Sequence, residues 1–384
     1  MNRTLMWVLL LIFVLTGCAS GRVDAVDQVG IDSESDPEYV EGLDGRLELM
    51  ADQLVDSLVN EGALFEDDAL ADYLQSITDQ LFPDFKGTLR TRAIRSTEPN
   101  AFALPNGELF INTGMLARLN NEAELAFIVG HEGAHYTESH SRRSYRSATR
   151  TNIFINVAGA SGYGLGGSIV GMTAFMRHSQ GLESDADAFG FSRAGDAGYD
   201  VNGLGDWFLR LNREQKVGKS PGFFFVRTHP SLTRRSKTMN QLALSVPERG
   251  AEHADRFLRI TKNARMAVLK GLTEAGKPDK LIHLLETEDR LDLFPRDARF
   301  YLAEAYRTRA NTGDWLVAEQ LYRELADATP PYAEALSKLG VMLIERGDIA
   351  AARPYFHRYL ELRPEGPDRR WAEHYLERHP TEDQ

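Results

Sequence analysis

The stretch "IVGHEGAHYTESH", residues 128–140, places His131, Glu132 and His135 within one short segment. On a helix, residues four apart lie one turn apart on the same face, so both imidazoles project in one direction. Two neutral imidazoles can then bind one Zn²⁺. Glu132 lies beside that metal, where it can take a proton from bound water and pass it to a leaving amine. The spacing therefore predicts a catalytic zinc site on a helix.

A catalytic zinc site needs a third protein ligand and an open position. His140 is near in sequence, but five residues past the second histidine it points well around the helix. It either contacts a metal ligand without binding the metal itself, or lies at the surface. A second predicted helix, within "GLESDADAFGFSRAG" at residues 181–195, supplies Glu183 as the better third ligand. One turn further, Asp187 can accept a hydrogen bond from a ligand imidazole and fix its orientation. The alternative interpretation of this helix is a solvated acidic face.

The elements around this site follow from periodicity and turn residues. They are a helical region over residues 47–82, a strand within 87–97, a hairpin over 101–114 and a long helix after Asn121. Asn106-Gly107 suits the tight turn of the hairpin. Asn121 with Glu124 three residues on is a capping-box arrangement. These elements predict an α+β domain, mostly helical with a small antiparallel sheet.

The C-terminal third contains a repeat that resembles the tetratricopeptide repeat, a helix pair of about 34 residues. Small, aromatic and proline positions recur 34 residues apart, in the pairs Gly313 and Gly347, Ala318 and Ala352, Tyr322 and Phe356, and Pro330 and Pro364. Residues 262–295 look like a degenerate third pair. Residues 255–384 are therefore predicted to form an α-solenoid. The concave face of such an array takes peptide segments or protein partners.

Bulk composition limits the classes of partner. The chain has 384 residues, of which 42% are hydrophobic, so it can build more than one core. Its net charge of −12 argues against nucleic acid, whose phosphates need a basic face. The glycines of "GYGLGG" (Gly162, Gly164 and Gly167) match the dinucleotide pattern, but no suitable strand precedes them. We interpret them as close helix packing or a loop, without a cofactor.

The N-terminus has the order of a secretory signal peptide over residues 1–17, with Arg3 followed by an apolar run. Its end, Leu15-Thr16-Gly17-Cys18, resembles the lipobox of bacterial lipoproteins and implies cleavage before Cys18 and acylation of its thiol. The alternative is an ordinary signal peptide with a chance cysteine. Ala19 follows Cys18, in place of the aspartate that resembles a signal for retention in the inner membrane. This favours the outer membrane. Residues 18–44 are then an acidic tether that keeps the protein on the periplasmic side of a membrane, attached only through lipid.

Together the metal-site motifs resemble the gluzincin family of HtpX-type and CAAX prenyl endopeptidases. "NAFALPNGELFINTGML" (100–116) is similar to that family's hairpin and following helix, and "THPSLTRR" (228–235) resembles the segment after its catalytic core. The resemblance covers residues 45–245 and implies a metallopeptidase domain. With the lipobox and the C-terminal repeats, the chain looks like the BepA-like periplasmic branch, which is implicated in quality control of outer-membrane proteins.

The resemblance implies one Zn²⁺ per chain, held by His131, His135 and Glu183, with Glu132 as the general base. It also implies that the hairpin binds an extended substrate backbone by strand addition. The role of His229 stays open. It could stabilise the oxyanion as a catalytic residue, occupy the metal's open position and hold the enzyme inactive, or be structural. We predict that it lies near the metal.

Two residues depart from the family pattern. Gly133 stands where a large aliphatic residue is usual, and a glycine within a helix costs about 1 kcal/mol relative to alanine. Gln180 stands where an arginine is common. Neither is predicted to touch the metal.

Two functions from different classes are compatible with these patterns. The first is a zinc metalloendopeptidase that degrades unfolded or misassembled envelope proteins, which the repeats recruit. The second is a lipoprotein adaptor or chaperone whose repeats bind envelope proteins, with a latent or vestigial metal site. Because a structural zinc site needs no carboxylate beside its ligands, Glu132 favours the peptidase.

Overall fold

The computed structural model describes residues 37–144, 178–217, 229, 231–246 and 248–379. Its helices and strands, numbered in chain order, are α1 (Pro37–Asn60), α2 (Asp68–Leu81), β1 (Arg90–Ile94), β2 (Ala101–Ala103), β3 (Glu108–Asn112), α3 (Thr113–Leu116), α4 (Glu122–Thr137), α5 (Gln180–Asp196), α6 (Leu204–Glu214), α7 (Leu232–Ala243), α8 (Ala254–Ile260), α9 (Lys262–Glu274), α10 (Pro278–Glu286), α11 (Ala298–Arg309), α12 (Asp314–Ala326), α13 (Ala333–Glu345), α14 (Ile349–Leu362) and α15 (Arg369–Arg378). The predicted signal peptide, Cys18 and the "GYGLGG" motif lie outside the described residues.

Two compact units divide the chain, residues 1–46 and residues 47–384. The described part of the first unit is helical and belongs to α1, which begins at Pro37 within the segment interpreted as a tether. Every other element, including the metal-site helices and the C-terminal helices, belongs to the second unit. Across the described ranges, no helix combines the length and the apolar character that crossing a bilayer requires.

The sheet has three strands in the order β1-β3-β2 and is mixed. β2 and β3 form the predicted antiparallel hairpin, in which Gly107 adopts φ +85° and a Cβ would approach the carbonyl oxygen of Thr88 to 2.5 Å. β1 pairs with β3 in parallel, with Arg90 opposite Glu108, so the sheet is not antiparallel throughout as predicted. The reason is that β3 folds back between the other two strands, and β2 is left at an edge.

Helix α4 runs through the hydrophobic core that contains the sheet. All its residues from Glu122 to His135 are buried, so it has no solvated face. It packs against α2, β2 and α5 in one hydrophobic cluster with residues of α6 and α7, including Leu74, Phe127 and Phe208. A helix that is buried on all sides belongs to the core. The polar residues of α4 are therefore held where water is excluded.

The C-terminal helices pack as consecutive pairs. α11 pairs with α12 and α13 pairs with α14, and each pair turns at a glycine of positive φ, Gly313 at +90° and Gly347 at +87°. The recurring residues have equivalent environments, because Ala318, Ala352, Tyr322 and Phe356 are all fully buried. A Cβ at Gly340 would approach the Phe356 ring to 2.5 Å, so the paired helices pack closely. α9 and α10 form the predicted third pair, whereas the tetratricopeptide assignment itself stays a prediction.

Candidate active site

Helix α4 begins as the sequence predicts. The side chain of Asn121 accepts a hydrogen bond from the Glu124 backbone N–H at 2.9 Å. Glu124 reaches back and accepts from the N–H of Asn120 at 2.8 Å, one residue before the position that a capping box would use. Both bonds satisfy N–H groups that the start of a helix leaves unpaired. The cap sets where the helix starts and hence which face carries its histidines.

Two glycines bring the metal-site helices together. A Cβ at Gly130 of α4 would lie 3.0 Å from the Cα of Gly190 in α5, and a Cβ at Gly190 would lie 2.8 Å from the backbone nitrogen of His131. No side chain fits between the helices at this point, so their backbones are in contact. This close approach lets Glu183, on α5, reach the two histidines of α4.

Four potential metal donors converge in the core. One ligand atom from each of His131, His135, Glu183 and His229 lies within 4.8 Å of all the others. The Nε2 atoms of His131 and His135 are 3.2 Å apart. The Glu183 carboxylate oxygens lie 3.7 Å from His131 Nε2 and 3.4 Å from His135 Nε2. The structure thus brings together the three ligands expected from sequence, and all of them are buried.

This donor set fits a zinc ion. Oε1 of Glu183 is buried and accepts no hydrogen bond from any described residue, so it has an electron pair to offer. Burial lowers the pKa of His131 and His135, which keeps both imidazoles neutral as metal binding requires. Burial alone would raise the pKa of Glu183, but the neighbouring His229 outweighs it and the pKa is lowered, so this carboxylate is ionised. Two imidazoles and a carboxylate are the donors of one class of catalytic zinc site.

His229 lies within the donor cluster rather than beside it. Its Nδ1 is 2.7 Å from Glu183 Oε2 and 3.3 Å from His131 Nε2, and its Nε2 is 3.7 Å from Glu132 Oε1. Burial opposes protonation, but Glu183 and Glu132 outweigh it and raise the pKa of His229. The position is compatible with a fourth metal donor and with a donor to substrate.

Asp187 and Arg235 lie on the side of His131 that faces away from the donor cluster. Oδ1 of Asp187 lies 3.0 Å from Nδ1 of His131, the nitrogen that faces away from the donor cluster. Arg235 donates to both carboxylate oxygens of Asp187, with a shortest distance of 2.6 Å, and its guanidinium lies 4.4 Å from the centre of the Phe208 ring. In the sequence, Arg235 belongs to the "THPSLTRR" segment and has no predicted role. Only the packing of α7 against α5 and α6 reveals its contact with Asp187.

Two further histidines surround His135. His140 is buried, with its Nδ1 3.0 Å from Nδ1 of His135, so it supports the site from behind rather than lying at the surface. It can turn back because α4 ends at Thr137 and Ser139 adopts φ +54°, whereas the sequence expectation assumed a continuing helix. The ring of His178 stacks on His135 at 3.9 Å. His178 was missed because no local pattern marks it.

Glu132 is a buried carboxylate beside the donor cluster. Its Oε1 accepts no hydrogen bond from the described part of the chain. Burial raises the pKa of Glu132 to about 8, near the range in which a carboxyl group both accepts and donates protons at neutral pH. The backbone N–H of Ala103 donates a hydrogen bond to Glu132. Because Ala103 ends the edge strand β2, the edge and the carboxylate are adjacent.

The departure at Gly133 has a packing reason. A Cβ on Gly133 would overlap the ring of Phe82, which is buried against α4 and stacks on Phe189. The absent side chain therefore makes room for an aromatic ring. Gln180, the other departure, begins α5 and accepts a hydrogen bond from Arg234 at 2.8 Å, away from the donor cluster.

We expect Gly133→Ala to lower the free energy of unfolding by about 1–2 kcal/mol. The added methyl group overpacks against the Phe82 ring, and this cost exceeds the gain in helix propensity. Chemical denaturation measures the change. Gly45→Ala is the control, since Gly45 is helical with nothing within 4 Å of its Cβ position, and it should stabilise the protein slightly. Phe82→Leu should relieve the cost of Gly133→Ala. A Gly133→Ala variant as stable as the parent chain would show that the Phe82 ring moves aside without cost.

A helix carrying H-E-x-x-H, faced by a carboxylate from a second helix, is the metal-site arrangement of the gluzincin class of zinc metallopeptidases. Comparison with known proteins also gives a peptidase family. Residues 68–243 match the model of peptidase family M48. The match covers α2 to α7, and so includes every donor of the cluster.

Known relatives match the chain over different lengths. The chain is 26% identical over 230 residues to a putative beta-barrel assembly-enhancing protease of Vibrio cholerae, covering 55% of this chain and 47% of the relative. It is 23% identical over 295 residues to the beta-barrel assembly-enhancing protease of Yersinia pestis, covering 71% and 59%. It is 29% identical over 153 residues to the mitochondrial metalloendopeptidase OMA1 of Schizosaccharomyces pombe, covering 38% and 44%. The chain thus spans about half the length of these relatives.

Proposed function

We propose that the protein is a zinc-dependent endopeptidase. One observation carries the proposal: the buried carboxylate of Glu132 is adjacent both to a three-residue zinc donor set and to β2, an edge strand of the sheet in the described part of the chain. A structural zinc site needs the donors but neither a carboxylate with an unpaired oxygen nor an adjacent strand edge. A peptidase needs all three.

A Zn²⁺ held by His131, His135 and Glu183 would supply a Lewis acid that polarises the scissile carbonyl and acidifies water. The chain itself positions and moves the proton. β2 pairs with the extended substrate and sets the register of the scissile peptide beside Glu132. Glu132 takes the proton of the attacking water and delivers it to the leaving amine. A cleft of about 190 Å³ beside His135, walled in part by Leu104 and Tyr136, receives a substrate side chain.

His229 and Asp187 complete the proposed site. Asp187 accepts the Nδ1 proton of His131 and so directs the Nε2 lone pair towards the metal, while Arg235 fixes Asp187. His229 serves either as the donor that stabilises the oxyanion or as a fourth metal donor that substrate displaces. Its 2.7 Å distance to Glu183 and its 3.7 Å distance to Glu132 support both roles.

The proposed substrates are unfolded or misassembled proteins of the bacterial envelope. Two relatives are named beta-barrel assembly-enhancing proteases, which supports a periplasmic setting. We further propose that acylated Cys18 anchors the chain to the outer membrane, that residues 45–245 form the peptidase domain, and that the tetratricopeptide-like helices of residues 255–384 bind client proteins.

The competing proposal is an adaptor or chaperone that binds envelope proteins through these helices without cutting them. Metal removal separates the two. We expect the zinc-loaded protein to cleave casein, 1,10-phenanthroline to stop cleavage, and added Zn²⁺ to restore it. Binding of unfolded casein should survive the chelator, because the helical repeats hold no donor of the cluster. Zinc bound in stoichiometric amount without any cleavage would favour the adaptor.

A further inference from the structure

The junction between α6 and α10 buries more positive than negative charge. Two guanidinium groups there are neutralised: Arg118 is held by Glu214, and Arg210 pairs with Glu124. Arg265 and Arg290 are also buried, yet neither forms an ion pair with any carboxylate of the described chain. An uncompensated buried charge is costly. The junction therefore calls for an anion.

Arg290 shows where that anion would bind. Its two terminal nitrogens donate only to neutral oxygens, the carbonyls of Ala117 and Arg118 and the side-chain oxygen of Asn120. Its Nε is buried and makes no hydrogen bond with the described residues. These bonds fix the guanidinium against the residues that follow α3 and leave the Nε donor without a partner among the described residues. Arg290 also lines a cavity.

A second unpaired donor lines the same cavity. Nε2 of His283 is buried and makes no hydrogen bond with the described residues, whereas its Nδ1 lies 3.1 Å from the hydroxyl of Thr287. When that hydroxyl donates to Nδ1, the ring proton resides on Nε2, which is then a donor into the cavity. Arg290 and His283 thus line one cavity, and each has a buried nitrogen without a hydrogen-bond partner among the described residues.

The size of the cavity selects the occupant. It measures about 20 Å³, which is room for one water or one monatomic ion. A water molecule would accept hydrogen bonds from both donors but would leave the positive charge of the buried guanidinium groups uncompensated. Burial, followed by repulsion from Arg210, lowers the pKa of Arg290 to about 10. Burial, followed by repulsion from Arg290, lowers the pKa of Arg265 to about 9. A negative ion relieves this repulsion.

We propose that the cavity between α6 and α10 is a halide site, occupied by chloride in the cell and formed by Arg290 Nε and His283 Nε2. Arg290 and His283 both belong to the C-terminal helical region, and α6 contributes Trp207 and Leu211 to the lining of the same cavity. The ion therefore lies between the two regions. Because the cavity forms only when both regions are folded together, the ion stabilises their junction by mass action.

Thermal unfolding of the zinc-loaded full chain tests the proposal. The salts are sodium chloride, bromide and gluconate at equal ionic strength, so that general screening is the same in each. We expect a higher Tm in chloride and bromide than in gluconate, with an increase that saturates as halide rises. Arg290→Gln should abolish the halide-specific increase. Arg296→Gln, at an exposed arginine nearby, should retain it.

Crystals soaked in bromide provide a measurement that does not depend on the variant folding. We expect an anomalous peak between Arg290 and His283. A water molecule at that position without a bromide peak, or the same Tm in all three salts, would overturn the proposal.

Discussion

Replacing Glu132 by glutamine is expected to lower the rate of casein cleavage by about 10²–10⁴-fold, the usual contribution of a general acid–base group. Zinc should remain bound in stoichiometric amount, because the donor cluster consists of other residues. The amide keeps the size of the carboxylate but cannot accept the proton of the attacking water. Initial rates on labelled casein, with metal content measured on the same samples, give the result.

Glu138→Gln is the matched control for this substitution. Glu138 is the exposed residue at the end of the same helix, six positions from Glu132, and has the same side chain. It should leave both cleavage and zinc content unchanged. Cleavage at the parental rate by the Glu132 variant would remove Glu132 from the mechanism. Loss of zinc along with activity would instead make it a metal-site residue.

Arg235→Met is expected to lower the free energy of unfolding by about 3–5 kcal/mol, because it leaves the carboxylate of Asp187 buried without its cation. Asp187 faces Nδ1 of His131, so the loss of its partner also loosens a metal ligand. We expect zinc affinity to fall by about 10–100-fold, as for other groups that orient a ligand histidine. Urea denaturation of the metal-free protein and competition with a zinc chelator measure the two effects separately.

Arg234→Met provides the comparison at the preceding residue. Arg234 is exposed and donates to Gln180, so its removal should change stability by no more than about 0.5 kcal/mol and leave zinc affinity unchanged. Equal effects of the two substitutions would mean that the charge of this segment matters rather than the contact with Asp187. An Arg235 variant with parental stability and reduced zinc affinity would confine its role to the metal.

Local patterns predicted much of the site. The cap at Asn121, the helix carrying His131 and His135, and the helix carrying Glu183 follow from residues a few positions apart, whose interactions are set within one or two turns. The hairpin turn at Gly107 follows from a conformation that glycine adopts easily. These features depend little on the remainder of the chain.

The remaining features depend on contacts between distant segments. Arg235 reaches Asp187 across 48 positions, and Arg290 reaches the carbonyl of Ala117 across 173. No periodicity records such pairs. The parallel pairing of β1 was missed for the same reason, since either hairpin strand could have accepted it. The sequence pattern around Gly133 indicated a departure from the family, but only the position of Phe82 explains it.

The backbone contact of Gly130 with Gly190 is a pivot point between the two helices that carry the candidate metal donors. Glu183 lies seven residues from Gly190, about 10 Å along the helix axis. A tilt of α5 by about 10° at that pivot would displace the Glu183 end by about 2 Å, as far as a whole zinc–oxygen bond. His131, beside the pivot, would hardly move. A force on the C-terminal end of α5, near Asp196, would therefore tilt the helix and change the affinity for the metal.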